Sequence, residues 1–118
     1  MEKLNQTILD DFVFYLKNVK YKNKIQELIL EHCSDEIGDY IYLIRIAVKK
    51  SQQKKGYGSA IISDIVQLAD KYNVRIKLWI SDIFGVNLNV LYEFYKKNGF
   101  FLIKNKIDGY MIYIPKKL

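Results

Sequence analysis

Three groups of residues have the types and spacing to do chemistry. The first is Gln53-Lys54-Lys55-Gly56-Tyr57-Gly58-Ser59, two glycines and two lysines just ahead of an amphipathic stretch. Unpaired N–H groups at a helix start, with the positive end of the helix dipole, attract anions. Glycine lets a ligand approach the backbone without Cβ atoms in the way. The turn lacks the Gly-Lys-Ser/Thr ending of a nucleotide-triphosphate loop and the third glycine of a dinucleotide fingerprint. The second group is Leu91-Tyr92-Glu93-Phe94-Tyr95, where a phenol can serve as proton donor to a leaving group. The third is His32-Cys33. One His and one Cys are too few ligands for a closed zinc site, so no metal is expected. A thiolate route needs a base held near the sulfur, which neighbours in a helix do not supply.

These groups need elements to position them. Ile8, Phe12, Tyr15, Leu16 and Val19 recur at helical spacing behind a Thr7/Asp10 capping pair. Ile25, Leu28, Ile29 and His32 predict a second short helix ending near Gly38. Tyr40 to Val48 is β-branched and aromatic and reads as a buried strand. Behind the glycine turn, Ile61, Ile62, Ile65, Leu68, Ala69 and Tyr72 make one helical stripe. Arg75 to Ser81 alternates as a strand, with Trp79 expected to pack against a helix. Leu88, Leu91, Tyr92 and Tyr95 place another helix, closed by Asn98-Gly99 at a left-handed C-cap. Phe100 to Ile103 and Tyr110 to Ile114 read as a hairpin around Asp108-Gly109.

The whole chain bounds what these elements can be. Its 118 residues allow a single domain, 1–118, split into a helical segment at 1–39 and a core at 40–114. No apolar run approaches the roughly 20 residues of a membrane helix, residues 1–6 lack the apolar stretch of a signal peptide, and Cys33 is alone. A cytoplasmic protein with no membrane partner is the expectation. The net charge of +6 is uneven. Residues 1–47 hold 6 Lys+Arg against 8 Asp+Glu, whereas residues 48–118 hold 13 against 5. A basic half suits a phosphate-bearing ligand. Nucleic acid fits less well, because the lysines are scattered rather than interleaved with aromatics.

The turn at Gln53 to Gly58 resembles the Gln/Arg-x-x-Gly-x-Gly/Ala signature of the GCN5-related N-acetyltransferase (GNAT) family. Leu91 to Phe100 is similar to that family's second signature, an aromatic-Tyr-x-x-x-Gly-Phe helix end. The resemblance covers about residues 40–114. It implies an α/β (α+β) fold: a mixed central sheet with helices on both faces, two N-terminal helices and a C-terminal antiparallel hairpin. It implies acetyl-coenzyme A (acetyl-CoA) as co-substrate. The pyrophosphate would be held by Lys54, Lys55, Gly56, Tyr57, Gly58 and Ser59, with Gln53 opening the loop. The Val48 strand would splay from the Ile80 strand, and the pantetheine arm would pair with Ile46 and Val48. The amide near Ile46 to Val48 would polarise the thioester carbonyl. Tyr95 falls on the tyrosine that protonates the leaving thiolate, with Tyr92 as a core aromatic.

The implied reaction is transfer of an acetyl group to a primary amine (a protein lysine, an N-terminus or a small amine) by direct attack. The alternative is a catalytically weak acyl-CoA-binding regulatory or inhibitor module. Where many relatives carry a cofactor-binding asparagine this chain has Leu88, so Asn87 or Asn89 would take that role. Arg45 stands where some relatives have a glutamate base, which leaves Asp35, Glu36, Asp39 or water to deprotonate the amine. The short chain predicts an acceptor pocket that is open, completed by a second copy in a homodimer, or built on a partner.

Overall fold

In the computed structural model, residues 2–80, 87–103 and 110–116 are described. Helix α1 (Gln6–Tyr15) starts earlier than the Thr7/Asp10 pair suggests. Asn5 caps it, its side chain accepting from the Ile8 N–H at 2.9 Å. A wider π turn, Leu16–Lys20, continues it and drives Leu16 into the core. The chain then enters β1 (Ile25–Ser34), which pairs antiparallel with β2 (Asp39–Val48) across a turn at Asp35 to Gly38.

The second N-terminal helix is therefore a strand. The register slips between Ile25 and Glu27 and again between Ile29 and Leu30. A slip adds a residue to one strand and breaks strict alternation. Buried positions consequently fall at Ile25, Leu28 and Leu30, and the first interval imitates a helix. Of the segment 1–39, expected to be helical, residues 6–20 alone are so among those described.

After β2 come α2 (Tyr57–Tyr72), β3 (Arg75–Trp79), α3 (Leu88–Lys97), β4 (Phe101–Leu102) and β5 (Tyr110–Tyr113). The sheet order is β1-β2-β3-β5-β4, parallel between β2 and β3 and antiparallel elsewhere. The C-terminal hairpin forms as expected, while its turn at Asp108-Gly109 lies outside the described residues. Gly99 has φ +97°, the left-handed cap that α3 needs.

The core lies between α2 and the sheet. Ile61, Ile62, Ile65 and Ala69 meet Ile41, Leu43, Ile76, Leu78 and Met111, all essentially dry. Each large aliphatic buried there contributes about 1.5–3 kcal/mol. Helix α1 lies beside α2, tied to it by Lys20 and Tyr21, which both bond Asp64. Helix α3 reaches the same layer, its Phe94 against Gly58 and its Tyr95 in a ring chain through Phe100 to Tyr113. Tyr113 in turn donates to Asp70 of α2 at 2.7 Å.

The described helices thus share one face rather than covering both. The segment expected to supply another helix became β1 and widened the sheet instead. On the opposite face Asp35 bonds Arg75 and Lys77, and Lys77 sits 4.1 Å from the Tyr40 ring centre. Trp79 packs under none of the described helices. It is half exposed there and leans on Tyr110 at 4.9 Å. None of the described helices is long and apolar enough to cross a membrane.

Candidate active site

The glycine turn is built by two left-handed residues. Lys54 has φ +63° and Gly56 φ +85°, and α2 begins directly behind them with no side chain capping it. The first N–H groups of a 16-residue helix therefore meet the surface without an internal acceptor from a cap. Gln53 steadies the loop by donating to the Val48 carbonyl at 3.2 Å. A cavity of about 260 Å³ lies against the turn, lined by Val48, Gln53, Lys54, Gly56, Tyr57, Gly58, Ser59 and Phe94. Phe94 of α3 lies against Gly58, where a Cβ would make ordinary contact with the ring at 3.5 Å.

The second feature is a gap in the sheet. Strands β2 and β3 pair only from Tyr40↔Arg75 to Tyr42↔Lys77. Just past that point the slip opposite Ile29 and Leu30 leaves Ile44 as an extra residue in β2. The strands part, and a cleft of about 500 Å³ opens between Leu43 to Val48 on one side and Leu78 to Ile80 on the other. The parted strands give the splay expected, and Ile46 and Val48 of β2 line the cleft between them. Leu91 and Tyr95 of α3 close the cleft from the helix side. Tyr95 is 7% exposed, and burial pushes its phenol up to about 12.

Other sequence candidates lie elsewhere. Asn89 is exposed and lines neither cavity, and Asn87 is occupied as the α3 cap, accepting from Asn89 N at 2.7 Å. Asp35, Glu36 and Asp39 do not reach the cleft. Asp35 and Glu36 lie in the turn before β2 and Asp39 is its first residue, four positions before Leu43 where the cleft begins, and none of the three lines it. Asp35 is moreover held by Arg75 (2.6 and 2.9 Å) and Lys77 (2.6 Å), which keep its carboxyl well below the usual carboxylate range. The hairpin formed by β1, unseen in the sequence, carries these acids to the far end. The cavity-lining residues among those described include no carboxylate or imidazole at the cleft.

The same hairpin brings in residues that sequence reasoning missed. Gln26 lines the cleft beside Arg45, and Glu27 bonds the Arg45 guanidinium at 3.0 Å. A strand reading of 25–34 would have set both beside β2; helical spacing hid them. Phe94 was also missed as a wall of the glycine turn, a contact that only the structure shows. His32 lies 3.4 Å from Asp39, away from the cleft.

A profile of the Acetyltransferase (GNAT) domain matches residues 12–101. The chain belongs to the GNAT family. No curated protein matches it in sequence. Among solved structures, Arabidopsis thaliana Naa50 in complex with the bisubstrate analogue CoA-Ac-MVNAL aligns with TM-score 0.59 and 17% identity, covering 99% of this chain and 97% of that one. The anti-CRISPR protein AcrVA5 aligns with TM-score 0.56 and 20% identity over 73% of this chain and 88% of that one. AtaTR bound with AcCoA aligns with TM-score 0.56 and 16% identity over 74% of this chain and 55% of that one, so this GNAT chain spans about half its length. At these identities the likeness is one of fold, and the mixed sheet with its split β2–β3 pair is that fold.

Proposed function

We propose that this GNAT domain binds acetyl-CoA and transfers the acetyl group to a primary amine by direct attack. The observation that carries the reading is the continuity of an uncapped helix start at Gly56 with a cleft between parted strands ending at Tyr95. The residues fit the cofactor. Lysines and free-ended amides suit phosphates, an unpaired strand edge suits an amide-bearing arm, and an apolar floor suits a thioester. When bound, acetyl-CoA supplies an acetyl group activated as a thioester.

The chain's own residues do the rest. The backbone amides from Lys54 to Ser59 hold phosphate. The edge of β2 at Ile46 and Val48 orients the arm, and an N–H there polarises the carbonyl. Tyr95 keeps its proton at neutral pH and presents it to the departing sulfur. With Asp35, Glu36 and Asp39 remote, the amine loses its proton to water at the cleft, which Arg45, paired with Glu27, lines. Naa50, seen with a CoA-peptide analogue, supports a peptide amine as one acceptor type, beside a protein lysine or a small amine.

The test is thermal. Acetyl-CoA should raise the melting temperature of the wild type, and Gly56→Glu should abolish the shift; no shift at millimolar ligand overturns the reading. The described residues lining the cleft include no carboxylate, which favours one second reading, a weak or inactive acyl-CoA-binding module. Labelled acetyl-CoA incubated with candidate amines and proteins separates them. Label transferred by the wild type but not by Gly56→Glu means an enzyme, and cofactor binding without any transfer means the module.

A further inference from the structure

The N-terminal turn contributes a cation to the glycine loop that neither motif contains. Lys24, the residue before β1, donates to Gln52 Oε1 at 3.3 Å, and Lys55 reaches the same oxygen at 3.5 Å. One neutral amide oxygen thus gathers two ammonium groups, and among the described residues no carboxylate pairs with either. Two like charges converging without an acid raise the local potential and leave an anion as their natural complement.

Lys24 is not a wandering side chain. Its carbonyl accepts from Lys49 N at 2.8 Å, which ties the start of β1 to the loop entrance. Its ammonium lies 5.5 Å from the Tyr57 ring centre, and Tyr57 is met edge-on by Tyr21. Gln52 itself lines the cavity at the turn, so the pair sits on the rim of the phosphate-binding loop.

We infer that Lys24 and Lys55, joined by Gln52, form a separate site for a phosphate monoester, and that it takes the 3′-phosphate of coenzyme A. This rests on the acetyl-CoA reading above. A monoester carries close to two negative charges at neutral pH, matching two ammonium groups, whereas each phosphate of the pyrophosphate carries one and is served by backbone amides. The site selects the intact cofactor over its 3′-dephospho analogue.

Calorimetric titration of the full chain with coenzyme A and 3′-dephospho-coenzyme A tests this. The wild type should bind coenzyme A about tenfold more tightly, as expected for one partly exposed charge-assisted contact. Lys24→Met should lose most of that preference while keeping the affinity for the dephospho form, and Lys55→Met should lose the preference as well. Lys71→Met, which removes the same charge from the other end of α2, should keep it. Equal binding of both ligands by the wild type, or an undiminished preference in both variants, overturns this inference alone. Equal loss in Lys71→Met also overturns it, since net charge would then be the cause. Failure of the wild type to bind either ligand overturns it together with the acetyl-CoA reading.

Discussion

Tyr95 combines two properties that rarely serve the same residue, deep burial and a place in the lining of a cleft. Its phenol, raised to about 12, stays protonated across the neutral range, so it can act as a donor but adds no step to a pH–rate profile below pH 10. Replacing it with Phe should slow the proposed transfer on the order of 100-fold with little change in acetyl-CoA affinity. The melting temperature should stay close to wild type, because no hydrogen bond of the described residues is lost. Asp35 makes the opposite case, a carboxylate used for structure. Its folded pKa lies far below the unfolded value of about 3.9, so its stabilisation is complete above pH 4 and fades as acid is added. Asp35→Asn should therefore lower stability at pH 7 and flatten acid unfolding below pH 4, read as urea midpoints from pH 2 to 7.

The loop before α2 depends on a backbone shape more than on side chains. Gly56 has φ +85°, yet a Cβ there would meet no atom within 4 Å. Gly56→Ala should cost about 1–2 kcal/mol from the left-handed conformation alone, measured by urea unfolding. Loss of ligand binding beyond that loss of stability would show that the loop's shape itself makes the site. Strand β1 holds its place by pairing with β2 and through Gln6, which donates to Leu30 O at 3.2 Å and accepts from His32 N at 2.7 Å. A helix side chain thus satisfies two groups on the outer edge of the sheet, which limits pairing with other chains.

For the molecule as a whole, charge and core act on different observables. The net charge of +6 attracts a polyanionic ligand at long range, so cofactor affinity should fall as salt rises from 50 to 500 mM. The melting temperature should change little over that range, because the core is apolar. Ile65→Ala, at a fully buried position facing the sheet, should cost about 2–5 kcal/mol. A loss below 1 kcal/mol would mean that the helix layer is loosely packed.

Local sequence carried the glycine turn, the α2 stripe, the α3 cap at Gly99 and the family itself, since each rests on residues close along the chain. Backbone conformation and helix periodicity are local properties, and short-range spacing is enough to report them. The β1 strand, the one-sided helix layer, the removal of Asp35 and Asp39 from the cleft, and the meeting of Lys24 with Lys55 were settled only in three dimensions. Two register slips break the alternation that announces a strand, and its pairing partners lie up to 23 residues away, as for Ile25 and Val48. Side chains so far apart in sequence meet only when the sheet brings them together, and that depends on burial of the whole core.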